Sequence, residues 1–320
     1  MKLDTSNFTP QIGIVVNAGP RIGYGHAVRC LRLARALAVD APITFYPLSE
    51  DCRDFLMSGN TDSKFEILEL NSAINDLPSV VITDLREPHG ITETIHRSGS
   101  RHISIHDLGL GQCCSDVVID GSITRLFPYA PDKSRAFFMG PQYMITRDTV
   151  PRERSSDTVL ITFGGGSSAK FAYAVSEEVW KMGLSPVTTG GFIGSSPMTD
   201  ADFADAMATC RFAISGSGGS LYDLLAAGVP TMVVAFDRIQ LRTADAFHER
   251  GAVMSAGLME RLSASALERC CAEMLENRAR TQQLSETGQL LVDGKGLSRV
   301  VEIVRRQLWL TRQVETFSAC

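Results

Sequence analysis

At 320 residues the chain exceeds the usual size of one hydrophobic core, so two domains of roughly 150 residues are expected. Hydrophobic residues make up 44% and charged residues 21%, which excludes a disordered or low-complexity chain. The net charge of -5 and the lack of a dense Lys/Arg stripe exclude the electrostatic footprint of a nucleic-acid binder, so an anionic ligand must be held by local groups.

Residues 1–10 are polar and carry no basic-then-apolar leader, and no apolar run reaches the roughly 18 residues of a membrane span. Cysteines 30, 52, 113, 114, 210, 270, 271 and 320 show no CxxC and no zinc or disulfide spacing. They read as reduced thiols of a cytoplasmic protein without an integral membrane segment.

"IGIVVNA" (12–18) reads as a buried strand, and "HAVRCLRLARALAV" (26–39) repeats apolar residues at Val28, Leu31, Leu33, Ala34 and Leu37, as an amphipathic helix does. Then come "ITFYPL" (43–48), a helix near 50–58, "FEILEL" (65–70), "VVITDL" (80–85), a helix near 90–98, "RHISIHDL" (101–108) and "DVVID" (116–120). Strands separated by helices of this length imply a parallel sheet covered on both faces. "PQYMITRDTVPRERSSD" (141–157) has prolines, charges and no period, so the domain boundary is placed within it. The second half restarts at "TVLITFGGGSS" (158–168) and alternates through "SPVTTGG", "FAISGSGGS" and "TMVVAF". Two doubly wound units follow, with ligands expected at the carboxyl ends of the strands, in the cleft between the halves.

Three glycine turns end strands and open helices: 19–26, 163–168 and 215–220. Amides at a helix start bind anions, and glycine lets a phosphate approach the main chain. One such turn is equally a tight connection; three in one chain point to a phosphate ligand. No GxxxxGK[ST] occurs, and "GYGHAV" lacks the third glycine of a dinucleotide fingerprint as well as an acid on the next strand, so NAD and FAD are disfavoured. Asp223, one turn inside the helix after "SGSGGS", is placed to accept both hydroxyls of a ribose; it also fits a helix-start acid stabilised by the dipole.

"SGSGGSLYDLLAAGVP" resembles the nucleotide-binding segment of GT-B-fold glycosyltransferases such as the N-acetylglucosaminyltransferase of peptidoglycan synthesis. With "IGYGHAVRCLRLARAL", "VVITDL", "FMGPQYMITRD", "ITFGGGSS" and "LVDGKGLSRVVEIV", in this order over nearly the whole chain, the resemblance is closest to the UDP-2,4-diacetamido-2,4,6-trideoxy-β-L-altropyranose hydrolases of pseudaminic acid biosynthesis. It implies an α/β protein of GT-B fold, with two doubly wound Rossmann-like domains facing a central cleft. Residues 1–148 would form the sugar or acceptor side and carry the histidine turn. Residues 149–320 would bind the nucleotide, with the last, amphipathic helix packing back on the first domain.

The resemblance also implies the chemistry. The family's histidine, matched by His26, activates water for attack on a UDP-linked sugar, with no cofactor and no metal. A helix start disfavours the cationic imidazole, which suits a general base. Gly23 and Gly25 shape that turn; Arg29, one turn on, either neutralises diphosphate charge or pairs with an acid. Amides of 164–168 (Gly164, Gly165, Gly166, Ser167) and 218–221 (Gly218, Gly219, Ser220, Leu221) would absorb the charge of the leaving diphosphate. Gln240 and Asp223 complete the nucleotide set, and Asp107, in "IHDLGLG" beside His106, stands where the family tends to have an acid.

This chain departs from that pattern at four places. Arg86 replaces the tyrosine after the "VVITD" strand, Ile239 replaces the asparagine before Gln240, Gly166 and Ser167 stand for Ser-Asp, and Asp223 is shorter than the usual glutamate. Arg86 either reads an anionic group of a different sugar or acceptor, or pairs with Glu87 or Asp84. His89 also lies near the expected cleft, while His96, His102 and His248 read as surface or packing residues. Three activities stay open on sequence: a UDP-sugar hydrolase, a glycosyltransferase with the same donor, and a nucleotide-sugar-binding protein without turnover.

Overall fold

The computed structural model describes residues 10–20, 22–59, 65–70, 76–85, 90–105, 115–125, 135–148, 154, 157–164, 169–189 and 198–318. The chain divides into two units, Met1–Ile145 with Leu297–Cys320, and Thr146–Gly296.

The first unit runs β1 (Ile12–Val16), α1 (Gly25–Leu37), β2 (Ile43–Pro47), α2 (Glu50–Gly59), β3 (Glu66–Ile67), β4 (Val80–Asp84), α3 (Ile91–Ser98), β5 (Arg101–Ile105), β6 (Val117–Asp120) and β7 (Ala136–Met139). Its seven strands are parallel, in the order β3-β2-β1-β4-β5-β6-β7. The apolar runs are unbroken because both faces of the central strands are covered. Ile12, Ile14 and Val16 pack with Ala27, Leu33 and Leu37 of α1, whereas Val15 faces the other way, onto Val81, Ile91 and Ile95. Burying such a side chain contributes about 1.5–3 kcal/mol.

Two details differ from the periodicity. "FEILEL" pairs only over Glu66–Ile67, and "AFFM" forms the edge strand β7, which the apolar-run reading passed over because its residues are half-exposed. The final helix, α10, spans Gly296–Ser318. Val300, Val304 and Leu308 enter the first unit's core, while Arg305 pairs with Asp40 and Gln307 accepts from Arg101.

The second unit contains β8 (Thr158–Thr162), α4 (Ala169–Lys181), β9 (Ser185–Thr188), α5 (Asp200–Thr209), β10 (Phe212–Ser215), α6 (Gly219–Ala226), β11 (Thr231–Ala235), α7 (Arg238–Glu249) and β12 (Met254–Leu258), followed by helices Ala264–Glu276 and Arg278–Leu291. Its five parallel strands lie in the order β12-β11-β10-β8-β9. Again the two sheet faces build separate cores: Val159, Ile161, Phe212 and Ile214 on one, Leu160, Ala213 and Leu224 on the other.

Both sheets are doubly wound, and each has a point where the strand order reverses: between β1 and β4, and between β8 and β10. Such points leave a crevice at the carboxyl ends of the strands.

Arg154 fixes the far end of α6. Its Nη1 donates to the carbonyls of Met207 and Cys210 and its Nη2 to those of Ala227 and Gly228, so one guanidinium caps the C-terminal ends of α5 and α6 together. Helix ends leave such carbonyls without intrahelical donors. Arg154→Ala should destabilise the second unit by about 2–3 kcal/mol in urea unfolding. A change below about 0.5 kcal/mol would mean that water replaces the guanidinium at no cost.

The described cysteines, 30, 52, 210, 270 and 271, are free thiols; 113, 114 and 320 lie outside the described residues. Among the described residues no helix is long and apolar enough to cross a membrane.

Candidate active site

In the first unit, the crevice between β1 and β4 is filled from both sides. After β1 the chain makes a tight loop in which Gly23 N–H bonds to the Gly19 carbonyl at 2.7 Å, and Gly23 takes φ +87°, a conformation costly for any residue with a Cβ. The loop delivers Tyr24 to the N-cap of α1 and His26 to its second position. A Cβ added at Gly23 or Gly25 would meet no described atom within 4 Å.

From the other side comes Asp84. Parallel pairing sets Val16 opposite Asp84, which puts the last residue of β4 beside the start of the loop that carries His26. The carboxylate is fully buried, and His26 and Arg29 are each more than nine-tenths buried around it. His26 Nδ1 lies 2.7 Å from Asp84 Oδ1; Arg29 Nη2 donates to the same oxygen at 2.6 Å, and Arg29 Nε donates to Oδ2.

Arg29 Nη2 is also 2.8 Å from His26 Nδ1, and the tautomer decides how that contact is read. A carboxylate only accepts, so the short Nδ1 to Oδ1 contact requires the proton on Nδ1. Nδ1–H therefore donates to Asp84, Arg29 keeps its bonds to the carboxylate, and Nε2 is the ring nitrogen turned away from it. Burial alone would raise the Asp84 carboxyl; Arg29, and after it His26, outweigh burial and hold it well below the usual carboxylate range. Burial would likewise lower the Arg29 guanidinium, yet Asp84 keeps it above its ordinary value. The neighbouring Cys30 is pushed well up by burial and then by Asp84, so it stays a thiol and donates weakly to Oδ2.

Of the two readings of Arg29, the structure takes the pairing with an acid. Arg86 and Asp107 lie outside the described residues, as do His89 and His106. His102 is buried against Thr83 Oγ1 at 2.9 Å on β4 and β5, and His248 contacts the Val253 carbonyl, both as packing residues do. Asp84 is the residue that sequence reading assigned no role beside His26. Its signal was an acid closing an otherwise apolar strand.

In the second unit, the crevice between β8 and β10 is lined by main chain. Gly164 follows β8 at φ +77°, and Gly216 N–H bonds across to the Thr162 carbonyl at 3.0 Å. Gly218 is the N-cap of α6, with Gly219 and Ser220 in its first turn. Added Cβ atoms at Gly164, Gly218 and Gly219 would meet no described atom within 4 Å. The amide of Leu221 bonds back to the Gly218 carbonyl, so the outward amides of this turn are those before it. Gly165, Gly166 and Ser167 lie outside the described residues.

Gln240, in α7, accepts from the Phe236 amide and stands 3.6 Å from the Cβ position of Gly216. Ser217 Oγ, inside the turn, is buried and has no hydrogen-bond partner among the described residues. A buried hydroxyl of that kind is uncommon and marks a place where water or a ligand atom completes the bonding. Asp223 is 5% exposed and is gripped by Arg147: the Arg147 main-chain N–H donates to Oδ1 at 2.8 Å and its Nε to Oδ2 at 3.0 Å.

No family model matches the chain. The spore coat polysaccharide biosynthesis protein SpsG of Bacillus subtilis (strain 168) is 25% identical to it across 92% of this chain and 97% of SpsG. Among solved structures, the kitacinnamycin glycosyltransferase superposes with TM-score 0.67 at 15% identity, over 94% of this chain and 100% of its own. MurG of Acinetobacter baumannii gives TM-score 0.64 at 12% identity over 93% and 100%. The chain is similar to SpsG over nearly its whole length and has the GT-B fold. The GT-B likeness spans both units, since each of these structures is matched over at least nine-tenths of this chain. A UDP-N-acetylglucosamine 2-epimerase from Listeria monocytogenes, named as putative in its own description, shares the GT-B architecture at TM-score 0.62, 12% identity and 92% and 95% coverage. At such identities these three structures speak for the fold alone.

Proposed function

We propose that the protein is a nucleotide-sugar hydrolase that releases UDP from a UDP-linked amino or deoxy sugar, in the making of a pseudaminic-type acid or a related glycan. The His26–Asp84 pair carries this reading. A glycine turn presents the imidazole at a sheet's switch point, and a buried carboxylate fixes the tautomer that leaves Nε2 as the base. The SpsG likeness supports it, since that relative works in polysaccharide biosynthesis.

In the reaction, His26 Nε2 takes a proton from water as the water oxygen bonds to the anomeric carbon. The bond from that carbon to the diphosphate oxygen breaks, and its electron pair leaves with UDP. Asp84 stabilises the positive charge that the imidazole acquires at that moment. The amides around Gly164 and Gly218–Ser220, with those of residues 165–167, take up the charge of the leaving diphosphate, Gln240 borders it, and Asp223 takes the ribose. Arg86 and Asp107 are assigned to the sugar side.

A glycosyltransferase is the second reading, since the His26–Asp84 geometry would serve an acceptor hydroxyl as it serves water: either asks the same of Nε2. Incubation with a panel of UDP-sugars, with and without candidate acceptor alcohols, separates the two. UDP release without acceptor is expected. Release only with an acceptor would make the protein a transferase, and binding without release under both conditions would leave a binding protein.

A further inference from the structure

Arg147 belongs to none of the glycine turns; in sequence it lies where the family-like "FMGPQYMITRD" runs into the connecting stretch, with no role of its own. In the structure it is among the most engaged side chains of the second unit. Its main-chain N–H and its Nε address different oxygens of Asp223. Its Nη1 pairs with Asp200 Oδ1 at 2.7 Å and donates to the Asp200 carbonyl at 3.2 Å. The guanidinium carbon lies 4.4 Å from the centroid of the Phe203 ring. One side chain thus joins the start of α5 to the middle of α6, and it is itself 14% exposed.

We infer that Arg147 is the positioning residue of ribose recognition: it holds the Asp223 carboxylate in one orientation, as the acceptor of the hydroxyls of a nucleoside diphosphate. This rests on the nucleotide-sugar reading above. Two donors on two different oxygens fix both the rotamer and the plane of the carboxylate, which a single contact would leave free to turn. A site built in advance saves the ligand the entropy of ordering it.

The anchoring of Arg147 explains why this grip is stiff. Asp200 and the Phe203 face hold the guanidinium from behind, so its Nε cannot follow a moving carboxylate. The adjacent Thr146 is buried at 2% exposure, and its Oγ1 has no hydrogen-bond partner among the described residues. That second orphaned hydroxyl, like Ser217 Oγ, belongs to a segment whose polar bonding is completed by something other than the described protein atoms. The short acid also needs the grip. Asp223 reaches one methylene less than a glutamate, so a small rotation would withdraw it from a diol altogether.

The test compares UDP with 2′,3′-dideoxy-UDP, which lacks both hydroxyls, by calorimetric titration of the wild type, Arg147→Ala, Arg147→Lys and Asp223→Asn. The wild type should prefer UDP by about 10-fold or more, the value of hydrogen bonds to a charged acceptor. Arg147→Ala should remove most of that preference, weakening UDP about 10-fold while changing the dideoxy nucleotide less than about 2-fold. Asp223→Asn should show the same pattern, and Arg147→Lys, which keeps the charge against Asp200 without the planar Nε donor, should fall between.

Equal weakening of both nucleotides by Arg147→Ala and Arg147→Lys would overturn the inference, since a purely structural or phosphate-binding arginine acts on both alike. UDP binding by the wild type without preference over the dideoxy form would overturn it as well, while leaving the nucleotide reading standing. No binding of either nucleotide to the folded wild type would overturn that reading and this inference together.

Discussion

Asp84→Asn should destabilise the first unit by about 3–5 kcal/mol in urea unfolding, more than any other single polar substitution there. The cost arises from what stays behind. Arg29 would remain over nine-tenths buried with a neutral amide where its counter-ion had been, and His26 Nδ1 would lose its anionic acceptor. Removing both charges avoids that penalty, so Asp84→Asn combined with Arg29→Met should be more stable than Asp84→Asn alone. If the double variant falls by the sum of the two single losses, packing and not ion pairing holds this cluster together.

The pH dependence has a definite sign. The folded-state carboxyl is held below its unfolded value, so its contribution is fully present above the unfolded value of about 4 and is lost as the pH falls through the folded one. Measured in a His26→Ala background, which leaves Arg29 as the partner, the stability gap between Asp84 and Asp84→Asn should therefore be flat from about pH 5 to 8 and narrow only in stronger acid. A gap that widened on acidification would contradict the ion pair.

The fold was largely legible because its strands are covered on both faces. "IGIVV", "VVITD" and "TMVVA" are buried at every position, and such runs between helical segments have few other meanings. What escaped was whatever depends on strand order. His26 and Asp84 are 58 positions apart and meet because β1 lies beside β4, a neighbour relation written in neither segment. The edge strand β7 escaped for the opposite reason, since Ala136 is exposed and Phe137, Phe138 and Met139 are only half-buried, which leaves no buried run to find.

The glycine turns were legible as connections from strand to helix, a local property of glycine that needs no knowledge of the strand order. Arg147 was not. Its stretch, "FMGPQYMITRD", counted toward the family resemblance and its continuation toward the domain boundary, but neither gave Arg147 a role; only the folded second unit shows its guanidinium on the Phe203 face and its amide on Asp223. The last helix declared its amphipathic pattern, but periodicity alone does not name the surface it covers; the family resemblance pointed to the first domain, and Val300, Val304 and Leu308 lie in the core of the first unit.

His26→Ala should lower UDP release by about 10²- to 10⁴-fold, the range for loss of a positioned general base. The affinity for UDP should change less than about 2-fold, because the groups assigned to the nucleotide are other residues. That split, turnover without affinity, is what separates a base from a binding residue. The side chain is 11% exposed and bonded to Asp84 through Nδ1, so its removal opens a space of imidazole shape next to an intact carboxylate. Added imidazole should restore part of the lost rate in His26→Ala and none in the wild type, with the rescue depending on Asp84 as the acceptor for the added ring. Activity of His26→Ala within about 10-fold of the wild type would remove the imidazole from the proton transfer. Lost activity accompanied by an equal loss of UDP affinity would instead make His26 a ligand of the diphosphate at the helix start.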